Sequence, residues 1–485
     1  MKLRLVALTF AISPLSFASL TSAQEPGVPP PAVPVQAQPV VPGTPAPAPP
    51  VDVAAPDPYP APEPEPSPVP PAVVPAPVPG AAPLPPPQAP LPPAQAPLLV
   101  APEAAPPVSL EPAKPEAVIS GAPGKGVSIK VGDAFSFNLR ARFQLRYQLD
   151  VPPENNVGER NYQQLINIGT ARLWFSGNVF RPEVTYMLQL AVAGRDYRDG
   201  AISPIFDAYI DWKADRDFSI RAGQFFVPFD RLRTVREFAL QMPDRPVPIG
   251  ELTLDRDAGV LFYSDKFLGS PFAWKAGVFG GGGTNLTTGK EPGLLLTARL
   301  EARPLGPIDD DSEGDLERRE VPGLAIGAGI ARNWNTNRQR STTGATFVGG
   351  TTDYLHLAAD AVFKWQGFAA QLEYLWKKTA DDTIISAGAD GALLTEWTRS
   401  GSGWVAQASY AFDPPFEIVG RYSKLNAFSG TDPRLVDTDE FGVGANYYLN
   451  GHQFKFQGAW FAKVPTERDF ADAAHVAIVQ LDATF

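Results

Sequence analysis

Residues 135–149 read FSFNLRARFQLRYQL. Phe135, Phe137, Leu139, Ala141, Phe143, Leu145, Tyr147 and Leu149 alternate without a break with Ser136, Asn138, Arg140, Arg142, Gln144, Arg146 and Gln148. A period of two places successive side chains on opposite faces of an extended chain, so this is a strand with one apolar and one polar face. Strands of soluble proteins run to about 5–6 residues, whereas a tilted strand crossing a bilayer needs about 9–11. This one is long enough to cross.

The pattern recurs to the last residue, where Ala477, Val479, Leu481, Ala483 and Phe485 alternate with Gln480, Asp482 and Thr484. It predicts sixteen strands, near 134–149, 164–179, 184–193, 204–213, 217–227, 257–264, 272–280, 294–303, 323–334, 353–364, 368–378, 403–412, 416–426, 438–449, 453–463 and 475–485. An even number of antiparallel strands can close into a cylinder with both ends on one side, which leaves no unpaired backbone edge in lipid. The connections agree. Phe180–Glu183, Ala214–Arg216, Gln366–Gly367, Asp413–Pro415 and Asn450–Gly451 are short; they alternate with long polar or glycine-rich stretches at 335–352, 379–402 and 427–437. Short turns at one end and long loops at the other are the asymmetry of outer-membrane barrels. The acidic stretch 304–321 is the exception, long yet on the short-turn side. Trp212, Trp334, Trp365, Trp376 and Trp404 fall near strand ends, as an interfacial girdle requires. A soluble sandwich or propeller is the competing architecture, but it explains neither the strand lengths nor the terminal Phe485. The fold expected is all-β: a sixteen-stranded antiparallel transmembrane β-barrel over 126–485, preceded by a disordered Pro-rich segment.

Composition narrows the remainder. The 485 residues include no cysteine and three histidines, which removes disulfides, thiolate metal sites and His-rich metal clusters. A formal net charge of -11 gives no electrostatic footprint for nucleic acid. Past the first two dozen positions no uncharged apolar run reaches the about 18 residues of a helical span. Lys2 and Arg4, the apolar core from Leu5 to Phe17 and the small residues Thr21-Ser22-Ala23 make 1–23 a secretory signal peptide. Of the 55 prolines, 36 lie between Pro26 and Pro115. Proline neither donates to a ladder nor continues a helix, so 24–125 is read as an extended, disordered periplasmic linker. It serves either as a spacer that contacts peptidoglycan or as a passive low-complexity tail.

The stretch FDAYIDWKADRDFSIRAGQFFVPFDRLR (206–233), followed by LDRDAGV (254–260), resembles the central signature of the phosphate-selective porin O and P family. Asp207-Ala208-Tyr209, Arg221-Ala222-Gly223-Gln224-Phe225, Pro228-Phe229 and Arg256-Asp257 with Gly259 carry the resemblance. Ala171-Arg172-Leu173 through Gly177 is similar to the family's second strand, and Gly403-Trp404, Arg421-Tyr422-Ser423 and Asn446-Tyr447-Tyr448-Leu449-Asn450 to its late strands. The resemblance spans roughly 126–485. It implies an outer-membrane porin, usually a homotrimer, whose long third loop folds inward and whose pore is lined by arginines. Passive diffusion of small hydrophilic solutes, anions such as phosphate among them, is the function it implies.

If the apolar positions face lipid, the interior carries Arg140, Arg142, Arg146, Arg172, Arg221, Arg299 and Arg421 with Lys364 and Lys455. Guanidinium groups in a row offer an anion successive charge-assisted hydrogen bonds in place of its hydration shell. Arg140, Arg142, Arg146, Arg172, Arg221 and Arg421 are the expected anion pathway. The loop from Pro228 to Asp255 adds Arg231, Arg233, Arg236 and Arg245, with Arg256 at its end, as candidates for a constriction. A second reading stays open, because Asp207, Asp211, Asp360, Glu373, Glu417 and Asp482 share the interior and Asp230, Glu237, Asp244 and Glu251 the loop. On that reading the arginines are barrel-wall salt bridges.

Asp309, Asp311, Glu313, Gly314 and Glu320 match most of an EF-hand loop, but glutamate holds the fifth position and no helices flank it. The stretch is read as a solvated acidic turn, and no metal or cofactor is called for. An enzyme would need a nucleophile beside His356, His452 or His475, and no nucleophile elbow is present. A structural anchor, with the barrel plugged and the Pro-rich arm on peptidoglycan, is the remaining alternative.

Overall fold

In the computed structural model the described residues are 116–485, other than 155–157, 159, 199–200, 203, 287–292, 388–390 and 413–414. The signal peptide and nearly all of the Pro-rich segment lie outside them. Sixteen antiparallel strands follow one another around a ring: Phe135–Val151, Gln163–Val179, Arg181–Ala191, Ile205–Asp215, Phe218–Phe226, Arg256–Ser264, Phe272–Phe279, Leu294–Ala302, Gly323–Thr336, Thr352–Trp365, Phe368–Thr379, Gly401–Ala411, Phe416–Ala427, Thr438–Asn450, Phe454–Pro465 and Ala474–Thr484. The last strand pairs with the first from His475↔Val151 to Thr484↔Arg142. Phe485 continues that ladder, donating to and accepting from the backbone of Ala141 at 2.9 and 2.7 Å. Every strand thereby finds two neighbours, which a sheet in hydrocarbon requires.

Alternation in sequence becomes alternation across the wall. In Phe368–Thr379, Leu372 (58%) and Tyr374 (47%) are exposed on the outside while Gln371 and Glu373 are buried within. Trp212 and Trp365 likewise face outward. The hairpin at Gln366-Gly367 has positive φ at both residues (49° and 89°), the primed geometry whose twist matches paired strands.

The sheet begins earlier than the sequence analysis placed it. Ala117–Ala122 and Gly126–Val131 form a hairpin, and the latter pairs with Phe135–Leu139, the part of the first strand that the last strand does not cover. The stretch 24–125 therefore ends in sheet. The signal was short: Val127, Ile129 and Val131 alternate with Ser128 and Lys130, too few residues to separate from the Pro-rich run before them.

Candidate functional site: the lumen and its inserted segments

The link between Phe218–Phe226 and Arg256–Ser264 is the longest of the long loops, and its side chains meet the inner face of the opposite wall. A short helix, Arg231–Thr234, is capped by Asp230, whose carboxylate accepts from the Arg233 backbone N–H at 2.7 Å. A second, Val247–Leu252, begins at Pro246. Phe229, Leu232, Ile249, Leu252 and Leu254 share one buried cluster with Leu295, Ala331, Leu375, Val405 and Leu425, all inward positions of barrel strands. The polar attachments are equally specific. Arg231 pairs with Asp360 at 2.7 Å, and Glu373 accepts from the Leu232 N–H at 2.8 Å. Lys455 Nζ and Gln457 Nε2 donate to Leu240 O at 2.7 and 3.0 Å, and Asn446 Nδ2 to Gln241 O at 2.9 Å. His356 Nδ1 bonds Leu252 O at 3.2 Å.

Close approach demands missing side chains. A Cβ at Gly329 would lie 2.2 Å from Phe229 O, and one at Gly403 would lie 2.7 Å from the Pro248 Cβ. The expected result of Gly329→Val is a displaced loop, at a cost of about 1–3 kcal/mol from overpacking. Unfolding in urea in detergent micelles checks the stability, and unit conductance in a planar bilayer checks the loop.

Beside the inserted loop runs a cavity of about 870 Å³. Its walls include Arg142, Arg172, Arg221, Arg233, Arg236, Arg245, Arg256 and Lys275, five carboxylates (Asp207, Glu237, Asp265, Asp309 and Asp311), and the rings of Trp174, Phe206, Phe226 and Phe238. Of the expected pathway, Arg142, Arg172 and Arg221 reach this cavity; of the expected constriction, Arg233, Arg236, Arg245 and Arg256 do.

Most of these arginines are already paired. Arg142 is a two-pronged partner of Asp482, Nε to Oδ1 at 2.8 Å, with Glu237 at 3.5 Å. Arg146 bonds Asp244 at 2.7 Å, Arg172 bonds Asp196, and Arg221 Nε bonds Asp211 at 2.6 Å. Arg421 meets Glu440 at 3.1 Å, and Arg231 meets Asp310 at 2.6 Å as well as Asp360. Arg233 pairs with Asp255; Arg256 pairs with Asp207 at 2.7 Å and is stacked between the rings of Phe206 and Phe226, 3.6 Å from each. Burial alone would raise the Asp255 carboxyl, but Arg233 and Arg256 outweigh it and hold it at about 2. Arg299 bridges Glu301 and Asp360, both at 2.7 Å. Lys364 and Lys455 hold inserted backbone: Lys364 Nζ donates to Ser312 O at 2.8 Å, Lys455 to Leu240 O.

Among the described residues, three of the pathway and constriction arginines, Arg140, Arg236 and Arg245, form no ion pair with a carboxylate. Arg245 donates to the carbonyls of Leu232 and Val235, and burial with the neighbouring charge of Arg233 pushes it down to about 10. Arg140 lies over the Trp174 ring at 5.7 Å with its Nε buried and unbonded, near enough to Arg236 for the two charges to repel. Sequence reasoning placed Arg140 and Arg142 together as a strand's acid-free face. It could not see that Asp482, from the far end of the chain, lies against one of them and not the other.

The acidic stretch also departs from its reading as a solvated turn. Asp310, Glu313 and Asp315 are buried, and Glu313 accepts from the Gln241 N–H at 2.7 Å and from Gln407 Nε2 at 3.1 Å. Among the described residues no group of carboxylates and histidines could hold a metal ion.

A closed sixteen-stranded antiparallel cylinder with an apolar outside and a charged inside defines an outer-membrane barrel of the porin type. Residues 137–481 match the family described as phosphate-selective porin O and P, and the chain belongs to that family. No curated protein sequence matches it. Among solved structures it is similar to the anion-selective porin from Comamonas acidovorans (12% identity, 72% of this chain and 100% of that one, TM-score 0.45). It is similar also to the outer-membrane channel DcaP of Acinetobacter baumannii (14% identity, 73% and 100%, TM-score 0.47). Salmonella typhi OmpF in complex with daunomycin gives 14% identity, 73% and 99%, and a TM-score of 0.47. Family and barrel together indicate the bacterial outer membrane as the location.

Proposed function

We propose that the protein forms a water-filled channel for passive diffusion of small hydrophilic solutes, that it prefers anions such as phosphate, and that Pro228–Asp255 is its constriction loop. The observation that carries the preference is the trio Arg140, Arg236 and Arg245, the arginines of the expected pathway and constriction that form no ion pair with a carboxylate among the described residues. The paired arginines contribute rigidity and donors rather than net charge. Selective conduction needs binding favourable enough to admit an ion and weak enough to release it, and a few unpaired guanidinium groups beside a paired wall meet that condition. The short-turn end is periplasmic, with the Pro-rich segment leading to it, and the assembly is a homotrimer as in the family.

Purified protein in a planar bilayer is expected to give stepwise conductance, with a reversal potential of anionic sign in a KCl gradient. Replacing chloride by phosphate on one side then ranks the two anions. A barrel that conducts nothing would sink the porin reading and favour a plugged anchor; a cationic reversal potential would sink the anion preference alone.

A further inference from the structure

The connection Arg303–Pro322 joins Leu294–Ala302 to Gly323–Thr336 at the end where Arg216-Asp217 and Gln366-Gly367 suffice elsewhere. A tight turn would close that hairpin. Instead the chain enters the lumen. Ile308 packs on the inward residues Ala325 and Val362. Asp310 takes Arg231 of the constriction loop at 2.6 Å and Arg303 at 3.0 Å. Glu313 is bound to the same loop twice, its carboxylate to the Gln241 N–H and its own N–H to Ala239 O at 3.2 Å. Gly314 sits so close to the wall that a Cβ there would lie 2.7 Å from Glu417 Oε1. While these groups are buried, Asp309 and Asp311 are exposed, and both line the cavity that also holds Arg233 and Arg236.

We propose that Arg303–Pro322 is a second constricting segment, which fixes the loop from the short-turn end and places Asp309 and Asp311 as an acidic exit below the basic zone. This deepens the porin reading and rests on it. Two charge zones in series give a different selectivity from a uniformly basic tube. An anion held by the unpaired arginines meets repulsion at the exit, so preference is tempered and current depends on the sign of the voltage. Burial of Asp310 and Glu313 against partners from the loop makes the segment a support for the constriction, not a lid resting on it.

Three variants test this in planar bilayers, with folding checked by the sheet signal and by heat-sensitive gel mobility. Replacing Pro307–Glu317 by Gly-Ser-Gly is expected to raise unit conductance by about twofold or more, since it removes one wall of the passage. Asp309→Asn with Asp311→Asn is expected to shift the reversal potential further toward anions and reduce the voltage asymmetry. Should the shortened barrel not assemble, Asp310→Asn with Glu313→Gln keeps the size of the segment and loosens its hold; larger, fluctuating steps are then expected. Wild-type conductance in the shortened or loosened barrel, or an unmoved reversal potential in the Asn pair, overturns the inference by itself. A silent wild-type barrel overturns the porin reading and this inference together.

Discussion

Arg140→Glu combined with Arg236→Glu is expected to reverse the sign of the reversal potential in a KCl gradient while the barrel folds as before. Each substitution changes the local charge by two without removing the partner of any buried carboxylate, because neither arginine has one among the described residues. Arg142 is the control. It lies two residues from Arg140 on the same face, yet it neutralises Asp482, and its replacement acts on the wall before it acts on an ion. Two arginines that look equivalent in the sequence are thus expected to divide into one that sets selectivity and one that sets stability. Equal selectivity shifts from Arg140→Glu and from a well-folded Arg142→Gln would remove the distinction.

The second large effect follows from the other member of that pair. Asp482→Ala leaves the Arg142 guanidinium buried with only the more distant Glu237 for company. Removing one partner of a buried ion pair costs about 3–5 kcal/mol, most of it from the charge left uncompensated. The loss falls at the seam where the last strand meets the first, so it should appear as an earlier urea midpoint and a poorer yield of refolded barrel. Asp482→Asn retains a hydrogen-bond acceptor and should recover part of the loss. If Asp482→Ala unfolds at the wild-type midpoint, the seam is held by its backbone ladder alone.

The barrel was legible because lipid imposes a rule that each strand must obey locally. Sixteen segments were read from alternation, and the ring contains sixteen strands at those places. Departures occur where that rule is relaxed. The hairpin Ala117–Val131 lies beyond the cover of the last strand and alternates too briefly to stand out from its surroundings. At Leu294-Leu295-Leu296 the alternation gives way to a continuous apolar run, since Leu295 points inward under Leu254 and its neighbours. Tyr374-Leu375-Trp376 and Trp404-Val405-Ala406 break the alternation in the same way, and Leu375 and Val405 belong to the same cluster. Gly329 and Gly403 gave no such sign, because a glycine in a strand looks the same whether or not backbone approaches it.

What the sequence determined by itself is the closed sheet: its strand number, its greasy exterior and the end at which each connection lies. Side-chain period and chain length are local quantities, and the demand that every backbone group be bonded in hydrocarbon turns them into a cylinder. Only the tertiary structure decided which lumen charges remain uncancelled. Arg142 and Asp482 are 340 positions apart in sequence, Arg231 and Asp310 are 79. Whether a guanidinium faces water or a carboxylate depends on contacts across the barrel, and no periodicity in a single strand records them.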